Sequence, residues 1–176
     1  IQQAADLGRQ QYPDVIANWK KNVKPSRLWG YDSPAQPIYL ADILGFLYHH
    51  THDNTYADKA RQILSEYGSL RDAYPKDYWK TRAEYQNGMP ALSNFFFMPA
   101  YARAYLRIRD SQTLDARSKA TIERDLAQSL NYVFTFPEWG AMNRAMLRAE
   151  ALYYGAIALP QHASAGQWKQ LAETLA

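Results

Sequence analysis

The feature that most constrains the fold is an alternation of two kinds of helical segment, repeated about every fifty residues. Residues 38–50, 91–109 and 142–159 carry apolar side chains around most of the helical circumference. Each is followed by a segment with one apolar and one charged face, at residues 53–68, 115–132 and 163–176. Helices that are apolar all round are buried, whereas one-faced helices lie at the surface. The pattern predicts an all-α fold of about three inner and outer helix pairs, forming an incomplete (α/α) toroid or an α-solenoid.

Capping residues define where several of these helices begin and end. Asp53 and Asp115 are placed to cap two of the outer helices, and Gly68 is placed to end the first of them. A further helix is predicted from Ala4 to Trp19, with a break or kink near Pro13. Convincing runs of alternating strand residues are absent from the sequence, which supports the all-α class.

Composition narrows both the organisation and the partners. With 176 residues the chain can bury one good core, so a single domain spanning 1–176 is expected. The hydrophobic content of 47% argues against disorder. The net charge of +3 comes without a polybasic run, so nucleic acid is not an expected partner. No apolar run reaches membrane-spanning length, and the absence of cysteine excludes disulfides and thiolate metal sites.

Aromatic loops precede the predicted inner helices. Aromatic residues make up 14% of the chain, and tyrosine and tryptophan combine apolar faces with a polar tip, as sugar-binding clefts require. In a layered helical fold these loops meet at one end of the helix layers, where they are expected to form a single cleft. The expected substrate-binding residues of this cleft are Trp29, Tyr31, Tyr85, Gln86, Asn87 and Trp139.

The third inner helix begins with an anion-binding sequence. Asn143 and Arg144 follow Trp139 in the first turn of this helix, where unpaired N–H groups and the helix dipole favour an anion. A carboxylate or sulfate is the expected ligand. A purely structural interpretation also stays open, in which Asn143 only caps the helix.

Two charges further along the same helix have no intrahelical partner. Arg148 has no acid three or four residues away, and Glu150 has no base. Their partners must come from neighbouring helices or from a ligand, and the neighbouring helices are the favoured explanation because buried charges are usually paired within the protein. Histidines at positions 49, 50 and 52 fall at the opposite helix end without a distant ligand set, so no metal or cofactor is predicted.

Two stretches resemble a known family. Residues 40–64 contain the pattern T-x-D-x-x-Y-A-x-K-A after an apolar helix, and this resembles a repeat of α/α-toroid polysaccharide enzymes. The sequence around Asn143-Arg144-Ala145 resembles the stretch around the Asn-His pair of heparinase II/III-like and alginate lyases. The further residues that carry this second resemblance are Ala149, Ala151, Ala156, Leu159, Pro160 and Trp168.

The resemblance implies a bacterial, secreted polysaccharide lyase that binds and cleaves uronic-acid polysaccharides by β-elimination, in the periplasm or outside the cell. Asn143 matches the catalytic amide of the family that neutralises the sugar carboxylate. Arg144 departs from the family, because many relatives have a histidine there and arginine is a poor base. In the family the catalytic tyrosine and a β-sandwich lie downstream of this stretch. The chain is therefore expected to be a fragment of a longer multidomain enzyme whose C-terminal remainder packs on it, and to be inactive alone.

Two other classes of function stay open. A glycoside hydrolase on the same fold needs two carboxylates across a cleft, and the predicted cleft offers only Asp32, Asp77, Glu84 and Glu138. A non-catalytic helical-repeat scaffold or a carbohydrate-binding module is the other alternative. In a scaffold the aromatic residues would be core or interface anchors, and Asn143 only a cap.

Overall fold

The computed structural model describes residues 35–72, 93–135 and 142–176, and six further helical positions between residues 3 and 17. Within the three long ranges, it describes the side chains of residues 37–67, 97–135 and 145–176. All regular secondary structure in these residues is α-helical, which confirms the all-α class for the described chain. The helices are α1 (Ala35–Thr51), α2 (Asn54–Asp72), α3 (Ser93–Ile108), α4 (Ala116–Thr135), α5 (Met142–Ala158) and α6 (Ala165–Leu175).

The six helices form two rows. In the first, the inner row, α3 packs between α1 and α5. In the second, α2 packs on α1, α6 packs on α5, and α4 contacts α2, α3 and α5. Each apolar helix is thus followed along the chain by its amphipathic partner, which is the pairing that the sequence pattern predicts.

Aromatic side chains form much of the core between the rows. Tyr67 of α2 meets two rings of α3 edge-on, with centroid distances of 5.5 Å to Phe97 and 5.3 Å to Tyr101. The Tyr101 hydroxyl donates a hydrogen bond to the backbone oxygen of Leu64 at 3.1 Å. Such edge-to-face contacts are the preferred geometry of aromatic pairs. Part of the aromatic content therefore stabilises the fold rather than a ligand surface.

The predicted caps are confirmed, but one predicted helix end is wrong. Asp53 accepts a hydrogen bond from the backbone N–H of Thr55 at 2.9 Å, and Asp115 accepts one from Ser118 at 2.8 Å. Helix α2 continues past Gly68 to Asp72, because a glycine inside a helix costs only about 1 kcal/mol and does not by itself end it. Near the predicted break, Pro13 is itself helical, and most of residues 1–34 lie outside the described chain.

Helices α1 and α5 are less buried than their composition predicts. The described helices cover only part of their circumference, which leaves an apolar stripe on each exposed to solvent. On α1 the exposed side chains are Tyr39, Ile43 and Phe46, and on α5 they are Met146, Tyr153 and Ile157. Helix α3 is covered on both flanks, and its described large hydrophobic residues are not exposed.

Glycines allow two close helix contacts. A Cβ atom on Gly45 of α1 would lie 3.2 Å from the backbone oxygen of Ala104 in α3. A Cβ atom on Gly155 of α5 would lie 2.7 Å from Cδ2 of Leu130 in α4. These distances are shorter than normal carbon contacts. The α1–α3 approach brings polar side chains of the two helices together.

Candidate functional site

Four charged side chains from three helices meet on the inner row. They are Asp42 of α1, Arg103 and Arg107 of α3, and Glu150 of α5, and we call them the inner-row cluster. Arg103 and Arg107 are four residues apart and therefore project from the same face of α3. The close approach at Gly45 sets α1 near that face.

Asp42 is the centre of the cluster. One of its carboxylate oxygens accepts hydrogen bonds from Nε and Nη2 of Arg103, at 3.1 and 2.9 Å. Its other carboxylate oxygen accepts from Nη1 of Arg107, which also donates to the backbone oxygen of Asp42 at 3.1 Å. Nη1 of Arg103 donates to Glu150. The cluster thus links all three helices of the inner row.

The cluster is electrically balanced and open to solvent. Two guanidinium groups face two carboxylates, and the side-chain exposure runs from 16% at Asp42 to 39% at Glu150. Charge-assisted hydrogen bonds of this kind fix geometry well. Partial exposure limits their net contribution to stability, because water competes for the same groups. The arrangement therefore holds the side chains in place while leaving them accessible.

Aromatic rings surround the two arginines. The guanidinium of Arg103 lies over the ring of Tyr154 at 5.5 Å, and that of Arg107 lies over the ring of Phe46 at 5.6 Å. Both distances are within the range of cation–π attraction. Burial raises the pKa of Tyr39; the charge of Arg103 acts against this rise, and the charge of Glu150 adds to it. Tyr39 is therefore a hydroxyl donor at neutral pH and not a base.

A groove opens beside the cluster, between α5 and α6. It has a volume of about 420 Å³, and its lining includes Glu150, Tyr153 and Tyr154 of α5 and Glu173 of α6. A larger groove of about 590 Å³ lies on α4 near the α5–α6 turn and includes Glu123, Arg124 and His162. Only the first of these two grooves shares a residue with the inner-row cluster, so we take the cluster and this groove as the candidate site.

The predicted partners of Arg148 and Glu150 are found on neighbouring helices. Glu150 pairs with Arg103, as described above. Arg148 is buried and donates from Nε to the backbone oxygen of Val133 at 2.9 Å and from Nη2 to that of Phe134 at 2.7 Å. Carbonyl oxygens in the last turn of a helix carry partial negative charge and attract cations. The cross-helix interpretation is confirmed, with backbone carbonyls of α4 among the partners of Arg148.

The residues predicted to bind the substrate mostly lie outside the described chain. Asn143 and Arg144 stand in the first turn of α5, which begins at Met142 as predicted, but their side chains are not among those described. The other predicted site residues, Trp29, Tyr31, Tyr85, Gln86, Asn87 and Trp139, lie outside the described residues altogether. The same holds for the acids considered for hydrolysis, Asp32, Asp77, Glu84 and Glu138.

The histidines of the α1–α2 turn end a helix. His49 and His50 are in the last turn of α1, and His52 has a positive φ of 56°. The hydroxyl of Thr51 donates to the backbone oxygen of Leu47 at 2.8 Å. Within the described chain, no three histidine or acidic side chains are grouped so that they could hold a metal ion. None of its helices is long and apolar enough to cross a membrane.

Sequence reasoning missed three members of the cluster. Asp42 is the only acid of α1, and Arg103 and Arg107 lie on the otherwise apolar inner part of α3. These charges show the same signal that singled out Arg148 and Glu150, since none has an oppositely charged residue three or four positions away in its own helix. Applied to every inner helix, that test finds Asp42, Arg103 and Glu150, whereas Arg107 has Asp110 three positions on, just beyond the end of α3.

Comparison of the chain with known protein families, with curated proteins and with solved structures gives no match in any of the three. The described residues define a two-row all-α protein whose inner row carries a charged and aromatic cluster.

Proposed function

We propose that this chain is the toroid portion of a polysaccharide lyase that cleaves uronic-acid polysaccharides by β-elimination. The observation that carries the proposal is the position of Asn143. It lies in the first turn of α5, seven residues before Glu150 of the inner-row cluster. Seven residues are close to two helical turns, so positions 143 and 150 fall on one stripe of α5 by helical spacing, and Glu150 is the member of the cluster on that helix.

The layered helices support the toroid part of the proposal. In an α/α toroid the inner helices border a central cleft and the outer helices cover them. Here α1, α3 and α5 form a row whose other side is covered by α2, α4 and α6. Exposed apolar and charged side chains on the inner row are what a polysaccharide-binding cleft requires. A toroid of about three helix pairs therefore fits the chain, and ring formation itself is part of the proposal.

The chemistry assigns separate roles to the residues. Elimination needs the C6 carboxylate neutralised so that the C5 proton becomes acidic, a base for that proton, and an acid for the leaving oxygen. The Asn143 amide donates to the carboxylate, and this bond strengthens as negative charge builds up in the transition state. Arg144 binds a carboxylate and is not the base, since a guanidinium keeps its proton.

The remaining predicted residues form the sugar-binding part of the site. Aromatic rings at Trp29, Tyr31, Tyr85 and Trp139 would stack on sugar faces, while the amides of Gln86 and Asn87 would bind hydroxyl groups. The expected ligand is an anionic polysaccharide, met in the periplasm or outside the cell.

A lyase screen on the full-length protein tests this function. Alginate, heparan sulfate, hyaluronan and pectate are each offered, and two signals are followed: ultraviolet absorbance of the unsaturated product and release of reducing ends. A lyase raises both together on at least one of these substrates. Starch, which has no uronic acid, is the control and should give neither. Reducing ends without ultraviolet absorbance would contradict β-elimination.

A glycoside hydrolase is the second candidate, and one observation favours it. Asp42 and Glu150 are two carboxylates from different inner helices, joined through the guanidinium of Arg103. Hydrolysis of a glycosidic bond uses such a pair. Both carboxylates are engaged by arginine, which suits positioning better than proton transfer, and the hydrolase is ranked second for this reason. The two signals of the screen separate these activities.

A helical-repeat scaffold is the non-catalytic alternative. The exposed stripes at Ile43, Phe46 and Ile157 are apolar and would suit a protein partner as well as a sugar. If no acidic polysaccharide is cleaved or bound by the full-length protein, the scaffold becomes the better explanation of this surface.

A further inference from the structure

We propose that Arg107 is a second binding position for an acidic group of the polysaccharide, separate from Asn143. This inference rests on the proposed function, because it assigns a ligand to the same inner row. The Arg107 guanidinium makes some of its possible hydrogen bonds to Asp42 and leaves the others available.

Arg107 uses only one of its three nitrogens within the described chain. Nη1 donates to the carboxylate and the backbone oxygen of Asp42, while Nε and Nη2 have no hydrogen-bond partner there. Neither of these atoms is fully buried, since no fully buried nitrogen of Arg107 lacks a partner. The Nε and Nη2 hydrogens point in parallel, and together they form a fork that can donate two hydrogen bonds to one carboxylate.

Of the two arginines in the cluster, Arg107 has fewer acidic partners than Arg103. Arg103 has two acids, Asp42 and Glu150, whereas Arg107 shares Asp42 with Arg103 and has no second acid among the described residues. The four side chains of the cluster carry no net charge together, but Arg107 is the arginine with fewer acidic partners. Its side chain is 28% exposed, so an anion can reach it without prior movement of the helices.

The guanidinium is held ready for a ligand. Asp42 fixes its Nη1 end, and the ring of Phe46 lies 5.6 Å from its central carbon. A preorganised arginine loses less side-chain entropy when it binds than one that is mobile in solvent. Phe46 and Ile43 are exposed nearby on α1 and offer apolar surface to the C–H groups of a sugar ring. This combination favours an acidic sugar over an isolated inorganic anion.

Titration calorimetry on the full-length protein tests the inference. The probes are oligosaccharides of alginate, which carry only carboxylates, oligosaccharides of heparan sulfate, which also carry sulfates, and a neutral maltose oligosaccharide. Arg107→Gln should weaken binding of the acidic probe by about 10-fold to 100-fold, as expected for loss of hydrogen bonds to a charged group. Loss with the alginate probe identifies a carboxylate at the fork, and loss confined to heparan sulfate identifies a sulfate.

Two further variants control for charge and for folding. Arg117→Gln makes the same chemical change at an exposed position of the outer helix α4 and should leave the affinity unchanged. Arg107→Lys keeps the charge beside Asp42 but removes the planar fork, so binding should fall by about 3-fold to 10-fold even if Arg107→Gln is too unstable to measure.

The outcomes separate the two proposals. Wild-type affinity in both Arg107 variants would overturn this subsite, while formation of unsaturated product in the lyase screen would still support the function. A wild-type protein that binds none of the acidic probes and forms no product would overturn both. Equal loss in Arg107→Gln and Arg117→Gln would show a general charge effect and would also reject the subsite.

Discussion

At the residue scale, the role of Asn143 is the most direct test of the proposed chemistry. In the full-length protein, Asn143→Ala should lower kcat by about 100-fold to 1,000-fold, because loss of one donor to a developing oxyanion typically costs this much. If the side chain only capped α5, the substitution would cost about 1 kcal/mol of stability and leave kcat nearly unchanged. Measurement of kcat and of the melting midpoint in the same variant distinguishes the roles. A destabilised protein with normal turnover would end the catalytic interpretation.

The cap of α4 gives a second test at this scale, through pH. Hydrogen bonds from the side chain and the backbone N–H of Ser118 lower the pKa of Asp115. A carboxyl group whose folded-state pKa is depressed contributes stability above its unfolded value, near pH 4, and loses it as pH falls through the folded value. The melting midpoint of Asp115→Asn should therefore lie below that of the wild type at pH 7, with the gap narrowing below pH 4. Asp110→Asn controls for loss of an exposed carboxylate, and a gap independent of pH would contradict the prediction.

At the element scale, the helices were predictable and their ends only partly so. Periodicity located α1, α4 and α5 because each presents a long apolar face, and Asp53 and Asp115 fixed two beginnings through local hydrogen bonds. The end of α2 was missed because a glycine weakens a helix by only about 1 kcal/mol and does not by itself end it. The exposed stripe on α1 was missed for a different reason: an apolar sequence shows which side chains can be buried, not how many neighbours are available to cover them.

Gly155 tests the packing of α5 on α4. Alanine there gains about 1 kcal/mol in helix propensity but overpacks against Leu130, which costs about 1 to 3 kcal/mol, so Gly155→Ala should destabilise the protein by up to about 2 kcal/mol. Leu130→Ala alone should cost about 2 to 5 kcal/mol. In the Leu130→Ala protein, Gly155→Ala should become neutral or stabilising. Denaturant unfolding of the wild type, the two single variants and the double variant measures these free energies.

Gly166 of α6 is the matched control for this cycle. A Cβ atom there meets no other atom within 4 Å, so Gly166→Ala should stabilise the protein by about 0.5 to 1 kcal/mol. If Gly155→Ala were equally stabilising, the contact with Leu130 would have no energetic importance. If the effects of Gly155→Ala and Leu130→Ala simply added, the two side chains would not be coupled.

At the scale of the whole molecule, the sequence predicted which helices are inner but not which charges meet. Arg103 and Asp42 are 61 residues apart, and their pairing depends on how closely α1 and α3 approach at Gly45. Glu150 was identified because no base stands three or four residues from it in its own helix, which is a local property. Its partner could not be named, since that depends on the order of helices in the row. The assignment of Asn143 and Arg144 to a site rests on local sequence alone, and both this role and the proposed ligand stay predictions.

At the same scale, the proposed function predicts that the 176-residue chain alone binds its ligand without turnover. Purified alone, it should bind acidic oligosaccharides weakly, if at all, and form no unsaturated product. Among the candidate groups, Arg144 keeps its proton, and burial raises the pKa of Tyr39, Tyr105 and Tyr132, so that a smaller fraction of each is deprotonated at neutral pH than of a free tyrosine. Ultraviolet absorbance is followed for the chain and for the full-length protein at equal molar concentration, with circular dichroism to verify that the chain is helical. Product formed by the folded 176-residue chain would show that it contains a competent base, and Tyr85 and the histidines would be the first residues to replace.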